Sequence, residues 1–489
     1  MLSQALLKAR RYEEERGRPI APEDRPLLHL TPLIGWMNDP NGFSFYNGKY
    51  HLFYQYHPYS KKWGPMHWGH AVSTDLLHWE HLPAALAPDI PADIDGCFSG
   101  SAIELDDGRQ LLLYTGVTKR TDTEKDEYAQ RQCLAVGDGL NYEKPDCNPV
   151  LTPADLPEGS NPYDFRDPKI WREKDGTYAC VVTNRNGKTR LGRLLRFTSE
   201  DGFSWKFGSI LLENNGDYGL MWECPDFFEL EGRKCLLFSP MDMLQNDKYF
   251  VGNNTIILTG RVEDGHFIEE TNQVVDCGLD FYATQTMETP DGRRVMTAWM
   301  QNWDTVVHST EGEKWFGQTV LPRELSFKDG RLVQTPVREL QNCLENEISY
   351  EDVVCSGVTV LDGIKGRMID MTVDVEKADC ESFEIRFAEN EKYHSSLIFD
   401  PRKSTLTYDR TYCGTRRAVT NVRKAPVDNN NGKIRLRIIL DRFSAEVFIN
   451  DGLQTMTHTL YTDQEADGIS FHTDGEVRFS VKKADFIHN

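Results

Sequence analysis

Three acidic residues, Asp39, Asp167 and Glu223, hold the same position in a repeated pattern, and side chains of this type can move protons and attack carbon. The pattern is a glycine turn leading into an apolar run. It occurs at Tyr46-Asn-Gly-Lys-Tyr, Asp107-Gly-Arg-Gln-Leu, Asp175-Gly-Thr-Tyr-Ala, Glu231-Gly-Arg-Lys-Cys and Asp291-Gly-Arg-Arg-Val. Nine residues before the five glycines stand Asp39, Ser99, Asp167, Glu223 and Ala283. Two carboxylates flanking a scissile bond are the equipment for glycoside hydrolysis, one attacking or activating water and the other protonating the leaving oxygen. A third carboxylate near a sugar holds hydroxyl groups or opposes developing positive charge.

The elements that must bring these residues together are strands. Each glycine reads as a hairpin turn, and the glycines lie 60, 68, 56 and 60 residues apart by subtraction. A period of that size in an all-strand sequence predicts an all-β propeller with one blade per repeat, larger than a WD40 blade. Equivalent positions on innermost strands ring the channel, so three carboxylates distant in sequence would share one pocket. A second echo, Ser73-Thr-Asp-Leu-Leu-His-Trp79 and Ser199-Glu-Asp-Gly-Phe-Ser-Trp205, reads as blade-to-blade packing of the tryptophans.

Local context sharpens the three positions. Gly35-Trp-Met-Asn-Asp-Pro-Asn-Gly42 is turn chemistry taken alone, yet it precedes the first repeat between Trp36 and Phe43. In Phe165-Arg-Asp-Pro168 an arginine adjoins the acid. In Trp222-Glu-Cys-Pro-Asp226 a glutamate enters a strand among Trp222, Phe227 and Phe228, a partly desolvated setting that suits a proton donor. Trp36, Trp63, Trp68, Phe98, Trp222 and Tyr282 cluster near these motifs. Core packing is the commoner use of any one of them, and Trp63 and Phe98, in polar glycine-containing loops, are the better pocket candidates.

The 489 residues allow two or three domains, and the reading is a leader helix and loop over 1–30, a five-bladed propeller over 31–336, a linker over 337–349 and a β-sandwich over 350–489. Leu2, Leu6 and Leu7 place a short amphipathic helix in the leader. The linker has helical spacing, and beyond it strands alternate without the sixty-residue period. A net charge of −21 argues against nucleic acid or an anionic membrane as partner. The N-terminus lacks the features of a secretion signal, and no stretch is long enough to span a membrane. Eleven scattered cysteines read as buried thiols in a reducing, cytoplasmic compartment. His51, His57, His67, His70, His78 and His81 match no zinc spacing, so no metal site and no cofactor are expected.

Together these segments resemble glycoside hydrolase family 32, the invertases and fructan hydrolases, over nearly the whole chain. Trp36-Met-Asn-Asp-Pro-Asn-Gly42, Gly96-Cys-Phe-Ser-Gly-Ser-Ala102, Phe165-Arg-Asp-Pro168 and Glu223-Cys-Pro-Asp226 are similar to four family signatures, in order. Leu321-Pro-Arg-Glu-Leu325 is similar to the segment closing the propeller, and Leu440 to Gly452 to part of the C-terminal sandwich. The resemblance implies a five-bladed propeller plus a β-sandwich. It makes Asp39 the nucleophile, Glu223 the general acid/base and Asp167 the transition-state stabiliser. Asn38, Asn41, Gln55, Trp63, Phe98, Ser99, Arg166 and Tyr282 would line the fructosyl pocket. The implied substrate is a small sugar, a terminal β-D-fructofuranoside, with sucrose or sucrose 6-phosphate first and fructans or fructosyl transfer as the alternative. A non-catalytic carbohydrate-binding propeller and an arabinoside-cleaving propeller are the other readings. All three carboxylates being present speaks against the first; the Gly-Cys-Phe-Ser-Gly and Asn-Asp-Pro-Asn-Gly signatures and the sandwich speak against the second. One departure is Phe316 in Trp315-Phe-Gly-Gln-Thr-Val, where the family more often has a smaller residue. Whether the sandwich packs on the propeller or on a second subunit of a homo-oligomer stays open.

Overall fold

The computed structural model describes residues 2–123, 127–306, 314–414 and 420–487. Five sheets, antiparallel except for one short parallel strand in the first, stand around a common axis, and their first strands are Gly35–Tyr46, Ser160–Arg172, Trp222–Leu230, Tyr282–Glu288 and Gly96–Glu104. Each first strand packs on the first strands of the neighbouring sheets, which defines blades I to V in chain order of a five-bladed propeller. The hairpin from first to second strand turns at Gly48, Gly108, Gly176, Gly232 or Gly292, each with φ between 76° and 91°. Left-handed backbone of that kind favours glycine, so the repeat seen in the sequence is this turn.

Each blade contributes apolar side chains to both of its neighbours. Leu111, Leu113 and Leu134 of blade II meet Ile170, Val182 and Leu195 of blade III in one core, which also takes in Trp205. The Ser-x-Asp echo is a second recurring turn. Asp75 Oδ1 accepts from His78 N at 2.8 Å and Asp201 Oδ1 from Ser204 N at 2.7 Å.

The ring closes through Trp315–Phe316, which pairs in parallel with Gly35 and Trp36 of blade I. The segment Leu321–Leu325, likened above to the closing element, instead enters the third strand of blade V (Arg323–Lys328). Its Arg323 turns to the C-terminal unit.

That unit is one ten-stranded hydrogen-bonded sheet, folded over on itself by the long strand Gly468–Phe486. Strand Phe383–Glu389 pairs with its first part and Ile369–Asp379 with its second. The two halves face each other over a core that includes Phe383, Ile385, Ile438, Val447, Phe471 and Phe479. The two sheets of the expected sandwich are thus continuous. A 3₁₀ turn at Arg338–Cys343 precedes the unit, whose first strand starts at Leu344.

Buried ion pairs fasten the unit to the propeller. Arg323 reaches Asp276 at 3.0 Å and Glu446 at 2.6 Å, and Arg410 reaches Asp280 at 2.5 Å. The leader helix, Gln4–Arg16, buries Leu6, Ala9 and Glu13 rather than Leu7, which is exposed. Glu13 accepts from Ala84 N of blade I at 2.7 Å. No helix among the described residues is long and apolar enough to cross a membrane.

Candidate active site

All five first strands break register at the same height. In blade I Asn38 and Asp39 face Gln55 alone, because Met37 pairs with Tyr56 and Pro40 with Tyr54. Ser99 is the extra residue in blade II, Asp167 and Pro168 in blade III, Cys224 and Pro225 in blade IV, and Ala283 and Thr284 in blade V. Such bulges re-aim side chains, here towards the axis. Asp167, Cys224 and Ala283 take φ of 61°, 50° and 54°, a left-handed conformation that costs energy outside glycine. The shared offset in the sequence is therefore the register of a bulge, with Glu223 one residue ahead of its own.

The three carboxylates lie in one polar network, Asp39 and Asp167 sharing Cys224 as donor and Asp167 and Glu223 sharing Arg166 as counter-charge. Asp39 Oδ2 accepts from Ser99 Oγ at 2.6 Å and from Cys224 Sγ at 3.4 Å, and its Oδ1 accepts from Asn38 Nδ2 at 3.0 Å. Trp36 Nε1 in turn donates to Asn38 Oδ1 at 2.7 Å, which fixes the amide's orientation. Asp167 Oδ2 accepts from Cys224 N at 3.0 Å and lies 3.7 Å from Arg166 Nε. Glu223 accepts on both oxygens, from Arg166 Nη2 at 3.1 Å and from Tyr282 OH at 2.7 Å.

Burial, followed by the charge of Glu223, raises the pKa of Asp39, and its three donors oppose the rise. Burial also raises Asp167 against the pull of Arg166, with Glu223 and Asp39 adding to the rise. Burial alone would lower Arg166, but Glu223, Asp167 and Asp164 outweigh it, and the guanidinium stays charged. Cys224 and Tyr282 are pushed well above their ordinary values, by burial first and the nearby acids second, so both remain neutral donors.

One to three residues further along the same strands the channel is plugged. Lys169 Nζ spans Asp226 Oδ2 at 2.9 Å and Thr286 O at 2.6 Å. Gln285 accepts from Phe43 N at 3.0 Å and donates to Gly100 O at 2.6 Å. Asn41 belongs to this floor, its Oδ1 accepting from Gly100 N at 3.2 Å. Gln55 is buried and donates to Cys97 O at 3.0 Å, beside the group rather than in it. Trp63 and Phe98 stand edge to face at 5.8 Å and meet Tyr128 at the mouth, where Trp63 is 38% exposed. The acids thus sit between this hydrogen-bonded floor and the aromatic cluster of Trp63, Phe98 and Tyr128.

Sequence reasoning missed Cys224 as a donor to two acids, although it lies within the quoted motif. It also missed Trp303, which stacks on Trp36 at 6.1 Å, and Tyr128. No local pattern singles those two out.

A propeller with an acid pair at the head of a plugged channel, a third acid beside it and an aromatic rim defines a glycoside hydrolase of the carboxylate-pair class. More narrowly, the chain belongs to glycosyl hydrolase family 32, whose N-terminal domain model matches residues 29–336 and whose C-terminal model matches 339–488. It is 38% identical over 455 residues to a raffinose invertase of Escherichia coli, covering 91% of each chain. It is 36% identical over 482 residues to a sucrose-6-phosphate hydrolase of Zymomonas mobilis, covering 94% of this chain and 92% of that one. A solved structure of a mutant Bombyx mori family 32 β-fructofuranosidase in complex with sucrose superposes with a TM-score of 0.83 at 32% identity, covering 99% of both chains.

Proposed function

We propose that the protein hydrolyses terminal β-D-fructofuranosides with retention of configuration, acting on sucrose or sucrose 6-phosphate. The observation that carries this reading is the placement of Asp39 and Glu223 on two bulged strands within one network of hydrogen bonds and ion pairs, through Cys224, Asp167 and Arg166. In the proposed reaction Glu223 protonates the glycosidic oxygen while Asp39 attacks C2 of the fructosyl unit. The glucosyl C1–oxygen bond stays intact, and the bond from C2 to the bridging oxygen breaks. Positive charge spreads onto the ring oxygen in the transition state, and Asp167 holds the 3- and 4-hydroxyls as the ring flattens. Water deprotonated by Glu223 then attacks C2, releasing fructose and restoring Asp39. A retaining pair of this kind works across about 5–5.5 Å between carboxyl groups.

Asn38, Ser99 and Cys224 keep Asp39 aimed, and Arg166 and Tyr282 orient Glu223. Trp63 and Phe98 offer faces to the sugars at the mouth. A reducing, cytoplasmic setting belongs to the reading and is supported by the cysteines, nine of which are buried, with no disulfide among the described residues.

The test is kcat/KM on sucrose and sucrose 6-phosphate side by side, with Asp39→Asn as control. Turnover of either sugar with release of free fructose, lost in Asp39→Asn, supports the reading. An unchanged rate in Asp39→Asn, or oligofructosides as the main product, would overturn it.

A further inference from the structure

The seam between blades II and III carries an apolar core, yet polar side chains of blade II cross it to reach the backbone of one strand of blade III. Gln130 Oε1 accepts from Phe165 N at 2.8 Å, and Gln132 Nε2 donates to Phe165 O at 2.7 Å. Thr115 Oγ1 accepts from Asp167 N at 2.9 Å. Ser101 Oγ donates to Pro168 O at 2.7 Å and accepts from Ile170 N at 2.8 Å. All of these side chains are buried. Valine or leucine would fill such a seam with no polar group to satisfy, so the hydroxyls and amides are there for the segment they hold. That segment runs from Phe165 to Ile170 and contains Arg166 and Asp167.

Asp167 needs such a hold. It sits in the bulge where Asp167 and Pro168 face Val182 alone, and its φ of 61° is costly for a residue with a Cβ. Strained backbone of this kind persists only where its surroundings over-determine it. Thr115 takes the Asp167 N–H, while its own hydroxyl hydrogen has Gln132 Oε1 at 3.0 Å and Ser99 O at 3.1 Å within reach. With that hydrogen directed into blade II, the oxygen keeps a lone pair for Asp167.

The device recurs in the ring. Ala283, left-handed at 54°, donates its N–H to Ser239 Oγ of the preceding blade at 3.0 Å. Thr115 and Ser239 both stand on second strands, opposite Phe98 and Glu223. The remaining left-handed bulge residue, Cys224, donates its N–H to Asp167 Oδ2. The aim of Asp167 is thus set from both ends, its backbone by Thr115 and its carboxylate by Cys224.

We infer that Thr115, backed by Gln132, is a positioning residue that holds the left-handed turn at Asp167 and through it the direction of the carboxylate. The inference rests on the role given to Asp167 in the proposed reaction. Asp167 acts in the transition state, so loss of the hold should fall on kcat rather than on KM.

The test is a series at position 115, with kcat and KM measured on the sugar the protein turns over. Thr115→Ser keeps the hydroxyl and loses a methyl, Thr115→Val keeps the size and loses the hydroxyl, and Thr115→Cys offers a weaker acceptor. Positioning predicts kcat near wild type for serine, lower for cysteine and lowest for valine, by about tenfold to a hundredfold. The opposite order, with valine tolerated and serine impaired, would mean packing alone and would overturn the inference. Should Thr115→Val not fold, the order of serine and cysteine carries the comparison. In an Asp167→Asn background the exchange to valine should cost less than about twofold, because the charge it positions is gone. Crystals of Thr115→Val should show the Asp167 carboxylate displaced from the Cys224 N–H. The inference falls if the valine variant keeps wild-type kcat, if its loss is undiminished in the Asp167→Asn background, or if Asp167 is unmoved in its crystals. Unchanged turnover in Asp167→Asn by itself would instead overturn the role of Asp167, and the crystals alone would then decide whether Thr115 holds it.

Discussion

Cys224 donates its thiol to Asp39 Oδ2 across 3.4 Å and its backbone N–H to Asp167 Oδ2 across 3.0 Å, so one residue of blade IV ties together acids of blades I and III. The thiol stays protonated, because burial and the adjoining acids hold its pKa well above the ordinary value. Its role is therefore that of a donor rather than a nucleophile. Cys224→Ala removes a group that favours the ionised form of Asp39, and Cys224→Ser supplies a stronger donor of similar size. The proposed attack on C2 requires Asp39 ionised. Without the thiol its pKa rises further, so the acid limb of the kcat/KM profile should move to higher pH in Cys224→Ala and return in Cys224→Ser. An identical acid limb in wild type and Cys224→Ala would remove this role.

Ser99 offers a second measure of the same balance. Its hydroxyl donates to Asp39 Oδ2 at 2.6 Å, the shortest contact that acid makes. Burial and Glu223 already raise Asp39, and Ser99→Ala deletes one of the opposing hydrogen bonds. The acid limb should shift upwards again, with kcat at the pH optimum falling by a smaller factor than at low pH. A kcat loss uniform across pH would assign Ser99 to substrate positioning alone.

The proposed division of labour between Asp39 and Glu223 predicts a dependence on the leaving group. Glu223→Gln keeps an acceptor for Arg166 and turns an amide N–H towards the Tyr282 hydroxyl, which can accept it, but cannot protonate the departing oxygen. General acid catalysis contributes about 10²–10⁴-fold, so sucrose turnover should drop by that order. An aryl β-D-fructofuranoside with an acidic phenol needs little protonation and should lose far less in its first step. Equal losses on both substrates, measured as single-turnover rates, would count against Glu223 as the acid.

Much of this was legible in the sequence because it is local. A hairpin glycine announces itself, and an offset of nine residues from it survives because each bulge sits at the same height in its strand. Ser99 and Ala283, the non-acidic members of the ring, follow from the same count. What could not be read is pairing across sequence distance. The Lys169–Asp226 plug, the Trp36–Phe316 stack and the Arg323–Glu446 pair join positions with no shared motif. The sheet's continuity through Gly468–Phe486 is hidden for a related reason: alternation reports which face of a strand is buried, not which strands it joins.

His29 is the clearest such pairing, and it predicts a pH-dependent stability. It precedes the propeller, yet its Nδ1 lies 2.8 Å from Asp441 Oδ2 and its Nε2 2.9 Å from Glu446 Oε1, both in the C-terminal sheet. Burial alone would lower its pKa, but those two acids outweigh burial and raise it from 6.5 to about 9. A group whose folded pKa is raised stabilises the fold fully below its unfolded pKa and loses that contribution as pH rises through the folded value. The window is therefore pH 6.5 to about 9, and the shift corresponds to roughly 3 kcal/mol. Asp441 and Glu446 are both lowered, with their hydrogen bonds and the charges of His29 and Arg323 outweighing burial, so their contribution is lost only at acidic pH, outside this window. Denaturant midpoints of wild type and His29→Gln, taken from pH 6 to 10, separate this effect from other titrations. The stability gap between them should be largest near pH 6 and shrink by about 3 kcal/mol towards pH 10. A gap that stays constant with pH would mean that the ring is held neutral and acts through packing alone.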